Sequence, residues 1–399
     1  MIREGKSNMM VFDSFEELRK FMNSISKFLA GPPFPAPIAS PSFDSLDDNE
    51  KNIITTIYNS YKEKGTTIKQ IAGEFLHILH LLIHSRNFSD IFRHLIYLEW
   101  MEHCIKADPS KFKKGKLFYR DHILHCANVC WVGHWLIFEL EEPFYGFLKS
   151  CLENILPPKC KKLLKDENHW ESFIKITWII TAMVHDFGYP IELVERKYTG
   201  DELFLCSKNY LQTNRLKDYF DNHLHRYIPL FKNQLKKIDK KMLESPFRRC
   251  DTVHSIIGSL ELLHFLKNHY RKLKGRKEIY RYIYQLAALG IFEHHKDGKI
   301  DFDLNPFGYL LALSDTLHEW HRYICIGAVK SSSTKLKFIS PVTKMSIKRE
   351  RKNIYHIQFK ISPQQKKCKG WDPGIFKKAK AKELERLKKK PGLPQFYIG

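Results

Sequence analysis

The chain has 399 residues, of which 43% are hydrophobic and 13% aromatic, and it carries a formal net charge of +22 at pH 7. This is a globular composition rather than a disordered one, and the length suffices for one large or two ordinary domains. No apolar run can span a bilayer and Met1–Lys6 does not lead into a secretory segment, so a soluble, cytoplasmic protein is expected.

The charge predicts attraction to polyanions, whether nucleic acid, nucleotides or an anionic membrane surface, without choosing among them. Nine cysteines are scattered with no C-x-x-C pair, an odd total that fits reduced, mostly buried thiols rather than a disulfide framework or a structural zinc site.

In chain order, residues 13–30 form an amphipathic helix, with Phe15, Leu18, Phe21, Met22 and Ile25 at helical spacing. Pro32–Pro37 breaks it and reads as a linker or extended arm. From about 50 to 325 the pattern is helical, with segments at 66–84, 89–105, 121–140, 173–186, 254–269, 278–295 and 306–325. Beyond Cys325 alternation takes over: Leu336 with Phe338, Met345 with Ile347, then Tyr355, Ile357, Phe359 and Ile361. Lys352-Asn353 sits at the turn, so two or three antiparallel strands are expected. Asp372-Pro373 then offers a helix start, followed by a basic helix over 376–390 in which eight Lys or Arg face two Glu. That helix reads as a solvated face, with a polyanion contact as the alternative. The expected division is an N-terminal helix and Pro-rich linker at 1–48, a helical metal-binding domain at 49–330, and a small β segment with a basic helix at 331–399. The fold class is mainly α.

The sharpest chemical signal is Met183-Val184-His185-Asp186-Phe187-Gly188, where twelve largely apolar residues run into adjacent His and Asp. A carboxylate at the end of a buried helix costs several kcal/mol unless something pairs with it. A divalent cation meets that need, with the imidazole as a second ligand. A His-Asp hydrogen bond at a helix end explains the dipeptide alone equally well. Four further stations lie on apolar helices: His125, with Val129 one turn on; His254, four before Gly258; the His294-His295 pair; and Asp315 inside Phe307–Asp315.

The order His125, His185-Asp186, His254, His294-His295, Asp315 resembles that of the HD superfamily of metal-dependent phosphohydrolases, over roughly residues 115–325. The resemblance implies an HD-type helical core in which His125, His185, Asp186, His254, His294, His295 and Asp315 hold metal. His294-His295-Lys296-Asp297-Gly298 is similar to the HD-GYP phosphodiesterases of cyclic dinucleotides. Asp121, one turn before His125, sits where some of those enzymes place an extra acidic ligand. The chain departs from that group in Tyr189-Pro190, which follow the His-Asp doublet, in lacking a Lys after Gly188, and in its long segment between Asp186 and His254.

Mixed imidazole and carboxylate ligands favour a dinuclear octahedral site, so two divalent metal ions are expected: Fe, Mn, Co or Ni ahead of Mg or Zn. Asp186 is the natural bridge, and with His185 it is the expected catalytic pair. Two metals would stabilise charge on phosphoryl oxygens. Between 208 and 249 there are 11 Lys or Arg against four Asp or Glu. This segment reads either as a solvated insertion or as a basic lid whose Lys236, Lys237, Lys240 and Lys241 bind substrate phosphate, with Arg322 as a further phosphate contact. Three functions follow as expectations. The first is hydrolysis of a phosphoester or phosphoanhydride in a nucleotide or cyclic nucleotide. The second is a di-iron oxygenase of the HD type. The third is a nucleic-acid-binding protein or nuclease. The oligomeric state is not written in the sequence.

Overall fold

A computed structural model describes residues 9–12, 14–30, 51–52, 55, 77–78, 122–188, 254–255, 258–259, 262, 277–294, 299–319, 324–326, 337–363 and 372–399. Its elements, in chain order, are β1 (Met9–Phe12), α1 (Phe15–Ala30), α2 (His122–Phe138), α3 (Tyr145–Ile155), α4 (Pro158–Lys161), α5 (Glu167–Val184), α6 (Lys277–Glu293), α7 (Pro306–Leu317), β2 (Ile324–Ile326), β3 (Lys337–Ile339), β4 (Val342–Arg351), β5 (Ile354–Ile361), α8 (Pro373–Glu385) and β6 (Gln395–Ile398). Residues 254, 255, 258, 259 and 262 are helical as well. The described residues are thus mainly α with a small sheet.

Helix α2 is buried on every side from His122 to Ile137. A helix apolar all round belongs at the centre of a core rather than on its surface. It packs against α5 and α7, and α6 packs against those same two helices. The threonines of α5 reach the interior without orphaning a hydroxyl: Thr177 and Thr181 each donate to the carbonyl one turn back, at 2.7 Å. Asp166 caps α5 by accepting from the His169 amide at 3.0 Å. Asn305 caps α7 in the same way, accepting from the Gly308 amide at 2.9 Å, while its own amide donates to Leu289 O at 3.0 Å and ties α7 to α6.

The larger sheet has strand order β1-β4-β5-β6. Its inner face, Phe12, Met345, Ile347, Tyr355, Ile357 and Phe359, is buried, and it joins the helices in one hydrophobic cluster. The three stretches read from the sequence, 1–48, 49–330 and 331–399, therefore all contribute to a single core. The β4–β5 turn is made at Asn353, whose φ of 59° is a left-handed value that Asn tolerates better than most residues.

Three expectations are corrected. The helix at 306–325 ends at Leu317, because His318 turns the backbone extended (φ −79°, ψ 97°), and Ile324–Ile326 is a strand. The sheet of two or three antiparallel strands is instead four-stranded, recruiting β1 from the N-terminal side and β6 in parallel to β5, with a separate antiparallel pair of β2 and β3. The helix at 376–390 spans Pro373–Glu385, since Leu387 leaves it to bridge Ile300. The cysteines Cys126, Cys130, Cys151 and Cys160 are free and buried. Among the described residues no helix is long and apolar enough to cross a membrane.

Candidate metal centre

Two helix ends build the middle of the site. At the end of α5, His185 folds back so that its Nδ1–H donates to Ala182 O at 2.7 Å. At the end of α6, His294 Nδ1–H does the same to Ile291 O at 2.6 Å. Both carbonyls lie in a last helical turn, where backbone acceptors lack intrahelical partners. A carbonyl only accepts, so each Nδ1 must carry the proton, and each ring, when neutral, holds its lone pair on Nε2. This is the tautomer a metal-ligating histidine needs, fixed by the backbone.

Asp186, 4% exposed, is the hub. Its Oδ1 lies 3.5 Å from His185 Nε2 and 3.4 Å from His254 Nε2, and its Oδ2 lies 3.5 Å from His125 Nε2 and 3.7 Å from His122 Nε2. His125 Nε2 is also 3.1 Å from Asp315 Oδ1. The rings of His125 and His294 each stand about 5 Å from that of His185, at 5.2 and 5.3 Å, and His254 is 5.5 Å from His294. Burial alone pushes the Asp186 carboxyl up, but the imidazoles of His185, His125, His122 and His254 together outweigh it and hold the group well below the usual carboxylate range.

Two donor groups can each hold a cation: His125, His185 and Asp315; and Asp186, His254 and His294, with ligand atoms in each group within 4.8 Å of one another. A third group replaces them with Cys126, His185 and Asp186. However, Cys126 Sγ lies 3.7 Å from His185 Nδ1, the protonated edge of that ring. Cys126 thus backs the imidazole rather than facing its lone pair. The donor set fits a cation on a second count: His185 Nε2 and Asp186 Oδ2 are buried and make no hydrogen bond. Buried polar atoms of this kind cost free energy unless something coordinates them.

Of the residues singled out from the sequence, His125, His185, Asp186, His254, His294 and Asp315 come together here. Asp121, His295, Arg322, Lys236, Lys237, Lys240 and Lys241 lie outside the described residues, as does the segment 208–249. Two residues escaped the sequence reading. His122 is one turn before His125, and His318 is three residues past Asp315. His318 Nδ1 meets His125 Nδ1 at 2.7 Å, so one ring donates to the other. His125 would be the donor where its Nε2 lone pair is turned to a cation. Both lie at an i, i+3 spacing from a recognised station, which is the signal that would have found them.

No protein-family model matches the chain, and no curated protein or solved structure matches it either.

Proposed function

We propose that the chain is an HD-type metal-dependent phosphohydrolase that cleaves a phosphoester or phosphoanhydride in a nucleotide or cyclic nucleotide at a dinuclear centre. The observation that carries this reading is the pair of donor groups meeting at His185-Asp186, with Asp186 presenting one oxygen towards His254 and the other towards His125. His125, His185 and Asp315 would hold one cation, and His254, His294 and Asp186 the other. Bound divalent ions supply Lewis acidity to the phosphoryl oxygens and lower the pKa of coordinated water. The protein's own part is to fix the imidazole tautomers through Ala182 O and Ile291 O and to present a buried, ionised Asp186. The basic segment at 208–249 and Arg322 are the proposed phosphate contacts.

The test is metal analysis of the purified protein beside a hydrolysis screen of nucleotides and cyclic dinucleotides, repeated on Asp186→Asn. About two bound transition-metal ions per chain and phosphate release are expected, with both lost in the variant and its helical circular dichroism retained. A variant that keeps its metal and its rate would reduce Asp186 to a helix-end cap. A coloured protein that consumes oxygen and releases no phosphate would move the assignment to the oxygenase.

A further inference from the structure

The imidazoles of the candidate centre are not all anchored alike. His185 and His294 stand at the C-terminal ends of α5 and α6, and each donates from Nδ1 to the carbonyl three residues back. A last helical turn has carbonyl acceptors to spare. His125 enters from the opposite end of a helix, in the first turn of α2. The carbonyl at the same offset is His122 O, which the helical ladder engages, and the surplus groups of a first turn are donors. An acceptor for His125 Nδ1 therefore has to come from another element.

Helix α7 brings one. Asp315 Oδ1 lies 3.1 Å from His125 Nε2, and Nδ1 of His318, three residues on, lies 2.7 Å from His125 Nδ1. One helix end thus grips both edges of the ring. The two rings lie 4.9 Å apart, centre to centre, at 30°, and His318 and His125 are only 2% and 4% exposed. Where Asp315 and Nε2 share a cation, Nε2 bears no proton, so a neutral His125 carries it on Nδ1 and His318 Nδ1 accepts. The end of α7 is shaped for this contact. His318 leaves the helix with an extended backbone while its N–H still closes on Ser314 O at 3.0 Å.

We infer that His318 is a positioning residue for one of the two cations, holding His125 in the tautomer and orientation that present Nε2 beside Asp315. The inference rests on the metal-binding reading of the site. Outer partners of this kind typically contribute about ten- to a hundredfold to metal affinity. The donor group of Asp186, His254 and His294 contains neither His125 nor Asp315 and takes the orientation of His294 from Ile291 O, so the two ions should respond differently.

The experiment titrates cobalt(II) into the metal-free full chain, followed by visible absorption, with urea midpoints measured beside it. The parent should take up about two ions. His318→Phe keeps a stacking ring and removes the acceptor, so one ion should bind at least about tenfold more weakly while the other is unchanged. His318→Asn places an acceptor oxygen where Nδ1 stood and should bring the weakened ion back towards parental affinity. A merely structural role would lower the urea midpoint and weaken both ions together. If His318→Phe does not fold, nitrogen-15 NMR of labelled histidines in the zinc-loaded parent decides: His125 should be protonated on Nδ1 and His318 on Nε2. A parent that takes up no cobalt sinks the metal reading itself. With cobalt bound by the parent, the inference alone is overturned by His318→Phe binding both ions as the parent does, by equal weakening of both, by His318→Asn as weak as His318→Phe, or by a proton on His318 Nδ1.

Discussion

At the scale of single residues, what matters is how a buried ionisable group is held in one protonation state. At the candidate metal site, backbone carbonyls fix which ring nitrogen of His185 and His294 carries the proton. Away from it, His134 shows the opposite solution. It is buried between Phe21 and Phe138, with ring centroids at 5.2 and 4.8 Å. Burial, helped by the Lys175 cation, pulls its pKa down from 6.5 to about 3. The Glu139 carboxylate, 3.7 Å from Nε2, does not reverse this. The folded state therefore binds fewer protons than the unfolded one between those two values. Stability from a neutral His134 is complete above pH 6.5 and is lost as pH falls, by roughly 1.4 kcal/mol per unit. His134→Phe keeps the aromatic packing and cannot titrate. Denaturant midpoints of variant and parent should diverge in the variant's favour from pH 6 to pH 4, whereas parallel profiles would mean that His134 is protonated within the fold. This residue could not be recognised in the sequence: one His among 20 carries no mark of its burial. His185-Asp186 could be recognised because a carboxylate at the end of an apolar run is a local contradiction.

At the scale of elements, packing decides where propensity would mislead. Gly133 sits in the middle of α2, where alanine would ordinarily favour the helix by about 1 kcal/mol. Here a β-carbon would stand 1.8 Å from Cζ2 of Trp178, a fully buried ring whose Nε1–H donates to Cys130 O at 2.9 Å. The indole cannot give way without losing that bond and disturbing α5, the helix that ends in His185. Gly133→Ala should therefore destabilise by about 3 kcal/mol or more, read from urea unfolding. Gly146→Ala, in α3, meets nothing within 4 Å and should be neutral or slightly stabilising. If Gly133→Ala were as benign as that control, the α2–α5 contact would be looser than these distances state. Periodicity revealed α1, α2, α5, α6 and the start of α7, since each follows an apolar repeat. It could not reveal β1 or β6, four residues each, whose strand character exists only through pairing with β4 and β5. Nor could it stop α7 at Leu317, because the stop comes from His318 reaching His125 on another helix.

At the scale of the molecule, the C-terminal segment braces the candidate metal site. Arg386 Nη2 donates to the His294 carbonyl at 3.1 Å, and the backbone at Arg386 and Lys388 pairs with Ile300. Lys380 reaches Glu319, the residue after His318, at 2.6 Å, and Glu383 at 2.8 Å. The Lys380 and Glu319 side chains are 10% and 13% exposed, so this pair is screened little by solvent. Removing Lys380 takes from Glu319 the counter-charge 2.6 Å away, which in a little-exposed pair costs on the order of 3 kcal/mol, whereas replacing both with apolar groups is often nearly neutral. Lys380→Met should accordingly lower the urea midpoint sharply, and Lys380→Met/Glu319→Leu should recover most of the loss. Because Glu319 follows His318 and Asp315 on the same stretch, the single variant should also lower metal content measured at equal protein concentration, and the double variant should restore it. A single variant that loses stability with full metal content would separate the brace from the site. A double variant no better than the single would mean that Lys380 acts through its alkyl stem against α7 rather than through its charge.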